Sequence, residues 1–155
     1  MVGKKAPLLK GINQKGEPIR LKDYRGRHLV LYFYPKDDTP GCTKESCSFR
    51  DGHEAVREFG AEILGVSPDP AKSHQKFIQK HQLTFDLVAD VDQVWAQSFG
   101  VWVEKSMYGK TYMGVERSTF ILGPDGTVRE AFRKVKPEGH VEEVLAWLKS
   151  QGGKT

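Results

Sequence analysis

An α/β sandwich on a mixed β-sheet is the fold class this sequence predicts, from three observations. Short β-prone runs alternate with amphipathic helical stretches along most of the 155 residues. One run, HLVLYFYP from His28 to Pro35, is apolar at nearly every position, as a strand buried on both faces requires. Two turn signals, Asn13-Gln14-Lys15-Gly16 and Pro124-Asp125-Gly126, add antiparallel hairpins near the two ends.

In chain order, Leu8 to Leu21 reads as an N-terminal hairpin, with Pro18 pointing to an edge strand because proline lacks the ladder N–H. Leu29 to Tyr34 is the central strand. Phe49, Gly52, Val56 and Phe59 recur at helical spacing and predict a helix over Thr43 to Phe59. Ala61 to Ser67 is the next strand. Pro70 opens a helix whose apolar side carries Ala71, Phe77 and Ile78, opposed by Lys72, Lys76 and Lys80. His74 and His81 share that apolar side and read as partly buried structural histidines. Phe85 to Ala89 is a strand, after which Asp92 caps a short helix through Val94, Trp95 and Phe99, ending at Gly100. Val103 to Glu116, polar and containing glycine with Tyr108 and Tyr112, reads as a long loop. Thr119 to Leu122 and Val128 to Phe132 flank the second turn signal. Val141, Val144, Leu145 and Leu148 form the stripe of a C-terminal helix.

No repeat or composition break divides the chain, so a single domain over residues 1–155 is expected, with residues 150–155 as a frayed tail. Gly152-Gly153-Lys154-Thr155 lacks the first glycine of a phosphate-binding loop. Hydrophobic content of 38% and charge of 28% suit a globular protein, and no run approaches the roughly 20 apolar residues of a membrane span. The opening MVGKKAPLLKG has no apolar core of signal-peptide length, so the expected location is cytoplasmic. The net charge is +4, but the basic residues are scattered and interrupted by Glu45, Asp51, Glu54, Glu58 and Glu62. These read as a solvated surface, with no nucleic-acid or membrane partner.

Cys42 and Cys47 are the only cysteines. Cys42 falls where the buried strand gives way to a helix, a position rich in unpaired backbone N–H groups and in the positive end of the helix dipole. Both favour thiolate over thiol. Pro35 ends the strand, and Pro40-Gly41 shape a turn that can bring bare backbone against a small ligand. Thr39 adds a hydroxyl three residues ahead of the thiol. Arg117, just before a strand, supplies a cation that does not deprotonate and a planar fork of donors. Cleaving an O–O bond needs a thiolate together with such donors for the leaving oxygen. A zinc site needs two more ligands, and only His53 is near, so no metal is expected. A thioredoxin-like disulfide oxidoreductase is the alternative within redox chemistry, although C-x-x-C serves it better. A basic binding module or holdase with incidental cysteines is the alternative from another class.

The stretch YFYPKDDTPGCTKESC resembles the peroxiredoxin motif Pro-x-x-x-Thr/Ser-x-x-Cys, here Pro35, Thr39 and Cys42. A second cysteine five residues on is similar to the bacterioferritin-comigratory, or Q-type, subfamily, and the likeness runs through ERSTFILGPDG to the final helix. The resemblance implies a thioredoxin-like fold, with Cys42 as the peroxidatic and Cys47 as the resolving cysteine, and Thr39 and Arg117 in the active site. It implies reduction of hydrogen peroxide and organic hydroperoxides through a Cys42 sulfenic acid and a Cys42–Cys47 disulfide. Thioredoxin or a similar dithiol would recycle the enzyme, without metal, flavin or haem. Both cysteines lie in one chain, so a monomer suffices. Two residues five apart on one helix have Cα atoms about 8.7 Å apart, beyond the roughly 7 Å that a disulfide tolerates. Residues from about Gly41 to Phe49 are therefore expected to unwind on oxidation, at low cost because Thr43, Lys44, Glu45 and Ser46 are polar.

Overall fold

The computed structural model describes residues 1–151. The expected tail therefore lies, from residue 152 on, outside the described residues. Among the described residues, nine strands and four α-helices follow one another as β1 (Lys10–Ile12), β2 (Pro18–Arg20), β3 (His28–Phe33), α1 (Pro40–Glu58), β4 (Ala61–Ser67), α2 (Ala71–His81), β5 (Asp86–Ala89), α3 (Val94–Ser98), β6 (Trp102–Met107), β7 (Lys110–Val115), β8 (Ser118–Leu122), β9 (Val128–Phe132) and α4 (His140–Ser150). Five strands form the central sheet in the order β5-β4-β3-β8-β9. β4 runs parallel to β3 and β5 to β4, whereas β8 is antiparallel to β3 and β9 to β8. This is the thioredoxin-like mixed sheet that the sequence implied, with the N-terminal hairpin β1–β2 beside it.

Successive side chains of a strand point to opposite faces, and β3 uses both. Leu29, Leu31 and Phe33 join Leu64, Trp95, Phe99 and Phe120 in one core layer. Val30, Tyr32 and Tyr34 join Phe49 and Val56 of α1, Phe77 of α2, and Val144 and Leu148 of α4 in the other. Cys42 belongs to this second layer. The second half of α1 is pinned there: Phe49 meets the His140 ring edge-on at 5.8 Å, and a Cβ on Gly52 would come within 2.8 Å of Val141 Cγ1. Only glycine permits so close a crossing of α1 and α4.

Three expectations need correction. The stretch read as a long loop, Val103 to Glu116, is the hairpin β6–β7, paired from Trp102↔Val115 to Met107↔Lys110. Its residues are mostly exposed on both sides, so they lack the alternation that marks a half-buried strand. Its turn is Tyr108-Gly109, both at positive φ (52° and 78°). α1 begins at Pro40 rather than Thr43, because proline has no N–H to leave unpaired and its φ is already helical. The carboxylate that caps α3 belongs to Asp90, not Asp92. It accepts the N–H groups of Trp95 (3.1 Å) and Ala96 (3.0 Å), reaching past Gln93, which adopts a left-handed turn.

Candidate active site

Strand β3 ends at Phe33, and the chain crosses the end of the sheet from Pro35 to Thr39 before entering α1. Pro40 is the first helical residue, Gly41 the second and Cys42 the third, so the thiol lies within the turn whose N–H groups lack intrahelical partners. Cys42 is 1% exposed, and Cys47, one and a half turns on, is half-buried. Both cysteines are free thiols on one intact helix.

Arg117 occupies the two-residue link between β7 and β8. The hairpin missed in the sequence is therefore what delivers it. Glu116 N–H donates to Val101 O (2.8 Å), and Val135 N–H donates to Arg117 O (2.9 Å), which fixes the backbone on both sides. Its guanidinium donates through Nη2 to Cys42 Sγ at 3.2 Å and through Nη1 to Glu45 Oε1 at 2.7 Å. The structure thus brings Cys42 and Arg117 together, 75 residues apart in sequence. Gly41 makes room for the fork: a Cβ there would sit 3.2 Å from Arg117 Nη2 and 3.6 Å from Pro137 Cγ. Thr39 is half-buried, and its hydroxyl donates to Lys36 O (2.9 Å) rather than to the thiol. Pro35 is half-buried at the end of β3, and Pro40 is exposed.

Glu45 is the residue that sequence reasoning missed. Its expected place is among solvated acidic residues, yet it is 0% exposed, and its Oε2 has no hydrogen-bond partner. The usable signal was helical spacing, since Glu45 lies three residues after Cys42 and four before Phe49, on the core face of α1. Ser46 shares that face, wholly buried and bonded to Tyr32 Oη at 2.8 Å. Burial pushes Glu45 up to about 7, with the charge and hydrogen bond of Arg117 opposing. Burial pulls Arg117 down, but Glu45 and Cys42 outweigh it and lift the guanidinium above ordinary arginine. Lys105 on β6 is half-buried near the same charges. Burial, then Arg117, holds it below ordinary lysine, and Cys42 opposes.

Unwinding the start of α1 is consequently not the low-cost event that its polar residues suggested. Glu45 and Ser46 leave buried hydrogen bonds when the turn opens. The cost depends on pH. Glu45 holds its proton up to about 7 in the folded helix and titrates near 4.5 once exposed. The stability it contributes is full below pH 4.5 and is lost as pH rises through 7, a swing on the order of 3 kcal/mol. We expect the amides from Thr43 to Phe49 to exchange more readily at about pH 8 than at about pH 5.5, after correction for intrinsic rates. Glu45→Gln should flatten that difference. An unchanged pH dependence in Glu45→Gln would assign it to another group.

A second polar cluster lies beneath the loop. Asp37, Asp69 and His74 place ligand-type atoms within 4.8 Å of one another, as a metal site would. Each is already engaged by Tyr34, Ser67, Ser73, Val88 or its neighbours in the cluster, so an ion would have to displace protein hydrogen bonds.

The site has known counterparts. The AhpC/TSA family model matches residues 2–131. The chain belongs to the peroxiredoxin family. Peroxiredoxin Bcp of Bacillus subtilis is 49% identical over 153 residues, covering 99% of this chain and 98% of that protein. Peroxiredoxin Bcp of Escherichia coli K12 is 40% identical over 144 residues, 93% of this chain and 92% of the other. Among solved structures, the bacterioferritin comigratory protein of Xanthomonas campestris, studied for its alkyl peroxide reduction activity, superposes with a TM-score of 0.89 at 44% identity. That match covers 94% of this chain and 97% of the other. PrxQ of Xylella fastidiosa gives 0.90 at 40% identity, covering 96% and 97%. This peroxiredoxin is accordingly a peroxidase, an oxidoreductase that takes a peroxide and a thiol reductant. No helix among its described residues is long and apolar enough to cross a membrane.

Proposed function

We propose that this peroxiredoxin reduces hydrogen peroxide and organic hydroperoxides with Cys42 as the attacking thiolate and Cys47 as the resolving thiol. The observation that carries the reading is the guanidinium fork of Arg117, one arm on Cys42 Sγ and the other on Glu45. The Cys42 sulfur forms a bond to the terminal peroxide oxygen while the O–O bond breaks. The departing oxygen takes up a proton and leaves as water or an alcohol, and Cys42 becomes a sulfenic acid. Arg117 and the free N–H groups of the first helical turn offer donors to the oxygens whose charge builds up. The Thr39 hydroxyl gives its own hydrogen to Lys36 O, which turns its lone pairs toward accepting the peroxide's O–H.

In the second step the Cys47 sulfur displaces the sulfenic hydroxyl, water leaves, and the Cys42–Cys47 disulfide forms. An external dithiol, thioredoxin or a protein like it, then takes over the disulfide by thiol exchange. Five residues along one helix separate the cysteines by about 140° around the axis and about 7.5 Å along it, so the first turns of α1 unwind before this bond closes. A monomer completes the cycle, because both cysteines belong to one chain. A reducing compartment such as the cytoplasm keeps them as thiols. Pro35, Pro40 and Gly41 wall the approach to Cys42.

Intact mass spectrometry after one equivalent of peroxide tests the division of labour. The native protein should lose two hydrogens, and Cys47→Ser should gain one oxygen and then, with excess peroxide, a second. Turnover with thioredoxin should be lost or much reduced in Cys47→Ser. Full thioredoxin-linked turnover there would remove Cys47 from the resolving role.

A further inference from the structure

The loop that leads to Cys42 is held from beneath by α2. Asp37 is buried, and its carboxylate collects three bonds: Tyr34 Oη donates to Oδ1 (2.5 Å), Ser73 Oγ donates to Oδ2 (2.8 Å), and His74 Nδ1 lies 2.7 Å from Oδ2. Its backbone N–H donates to Asp69 Oδ2 (2.7 Å), which also accepts from Ser67 Oγ (2.6 Å). The next residue, Asp38, has φ +59°, a left-handed conformation uncommon for a residue with a side chain. Lys80 (2.7 Å) and His81 (3.0 Å) hold its carboxylate. Two successive loop residues are thus clamped by four side chains of one helix.

His74, expected to be partly buried, is wholly so. Its Nε2 lies 2.8 Å from the carbonyl oxygen of Val88. A carbonyl can only accept, so Nε2 carries a hydrogen. A neutral ring would then turn a bare lone pair at Nδ1 toward an ionised carboxylate, and two acceptors 2.7 Å apart repel. A proton therefore lies between Asp37 and His74. Burial keeps the Tyr34 hydroxyl protonated, well above ordinary tyrosine, so it too remains a donor to Asp37.

We infer that Asp37 and His74 are positioning residues for the peroxidase reaction: their proton-bridged pair fixes the loop that sets Thr39 and the first turn of α1 around Cys42. The inference rests on the reading of Cys42 as the attacking thiol. Thr39 follows Asp37 by two residues, and the carbonyl that orients its hydroxyl belongs to Lys36, the residue before Asp37. A break in the pair leaves a buried polar group unsatisfied and frees a strained loop. A misplacement of about 1 Å in a reacting group costs up to about 100-fold in rate.

The test uses hydrogen peroxide as substrate and the rate of Cys42 oxidation per folded molecule. His74→Leu and Asp37→Ala should each lower kcat/KM for peroxide by about 10- to 100-fold. They should also slow iodoacetamide alkylation of Cys42 in a Cys47→Ser background. The double variant should be little worse than either single one, since each removes the same contact. Asp37→Asn can keep the geometry without the charge: Oδ1 still accepts from Tyr34, and Nδ2 donates to a neutral His74 Nδ1 and to Ser73 Oγ. It should recover at least tenfold of the Asp37→Ala loss, a rescue that non-specific damage to the fold would not give. Asp37→Asn against Asp37→Ala carries the comparison should His74→Leu fail to fold. Cys42→Ser, run alongside, separates the two ideas. Peroxide consumption persisting in Cys42→Ser overturns the choice of thiol. Consumption lost there, but unchanged in folded His74→Leu and Asp37→Ala, overturns the positioning pair.

Discussion

Peroxide consumption should fall to the uncatalysed rate when Cys42 is replaced by serine, with the fold intact. The exchange is nearly isosteric at a site only 1% exposed, so no cavity of consequence opens. The serine oxygen can still accept the Arg117 hydrogen bond now made to sulfur, and neither Arg117 nor Glu45 is stranded. A hydroxyl, unlike a thiol, has almost no ionised fraction at neutral pH, and oxygen attacks peroxides poorly. Loss of activity together with a thermal midpoint within a few degrees of the native protein is the expected pair of results. Near-normal peroxidase activity in Cys42→Ser would remove Cys42 from the chemistry.

Arg117→Lys should have the next largest effect. The charge survives the exchange, but one ammonium replaces a planar fork that binds two groups at once, 2.7 Å from Glu45 Oε1 and 3.2 Å from Cys42 Sγ. An ammonium drawn to the buried carboxylate leaves the sulfur without its donor. Loss of one preorganised donor of this kind lowers the rate by about 100- to 1,000-fold. Stability should fall less, because burial favours the neutral form of Glu45, which can take a proton rather than remain a bare buried charge. Single-turnover oxidation by hydrogen peroxide, beside urea denaturation, reads the two effects separately. A native oxidation rate in Arg117→Lys would exclude the guanidinium from the site.

The sheet strands that bury two faces were legible in the amino-acid sequence. Ala61–Ser67 matches its expected bounds, and His28–Phe33 lies within a residue of them, because continuous apolar runs have one good solution. The hairpin β6–β7 was not, since its pattern follows exposure rather than burial. Tyr108 is 97% exposed, and nothing on either face alternates. Its one clue was a two-residue turn ending in glycine. At the site, Cys42 stands out by its position between strand and helix, whereas Thr39 and Arg117, each readable alone as a turn or surface residue, gain their place from the chemistry the thiol needs and from the resemblance. Glu45 carried its clue in the Cys42-to-Phe49 spacing, which serves for the thiol but was outweighed by the general rule that glutamates face water. The Asp37–His74 contact spans 37 residues and leaves no local trace.

The crossing of α1 over α4 at Gly52 has a kinetic consequence. With Phe49 and Gly52 packed against His140 and Val141, only the few residues of α1 that precede them lie free of that crossing. If Cys42 becomes the sulfenic acid proposed above, a tether that short would confine Cys47 to a small volume around it, equivalent to a thiol concentration in the millimolar range or above. Small free thiols in solution must exceed that local concentration before they compete for Cys42. On the proposed resolving role of Cys47, closure of the ring would favour this internal partner through proximity, and extra residues inserted between the two cysteines would weaken that advantage.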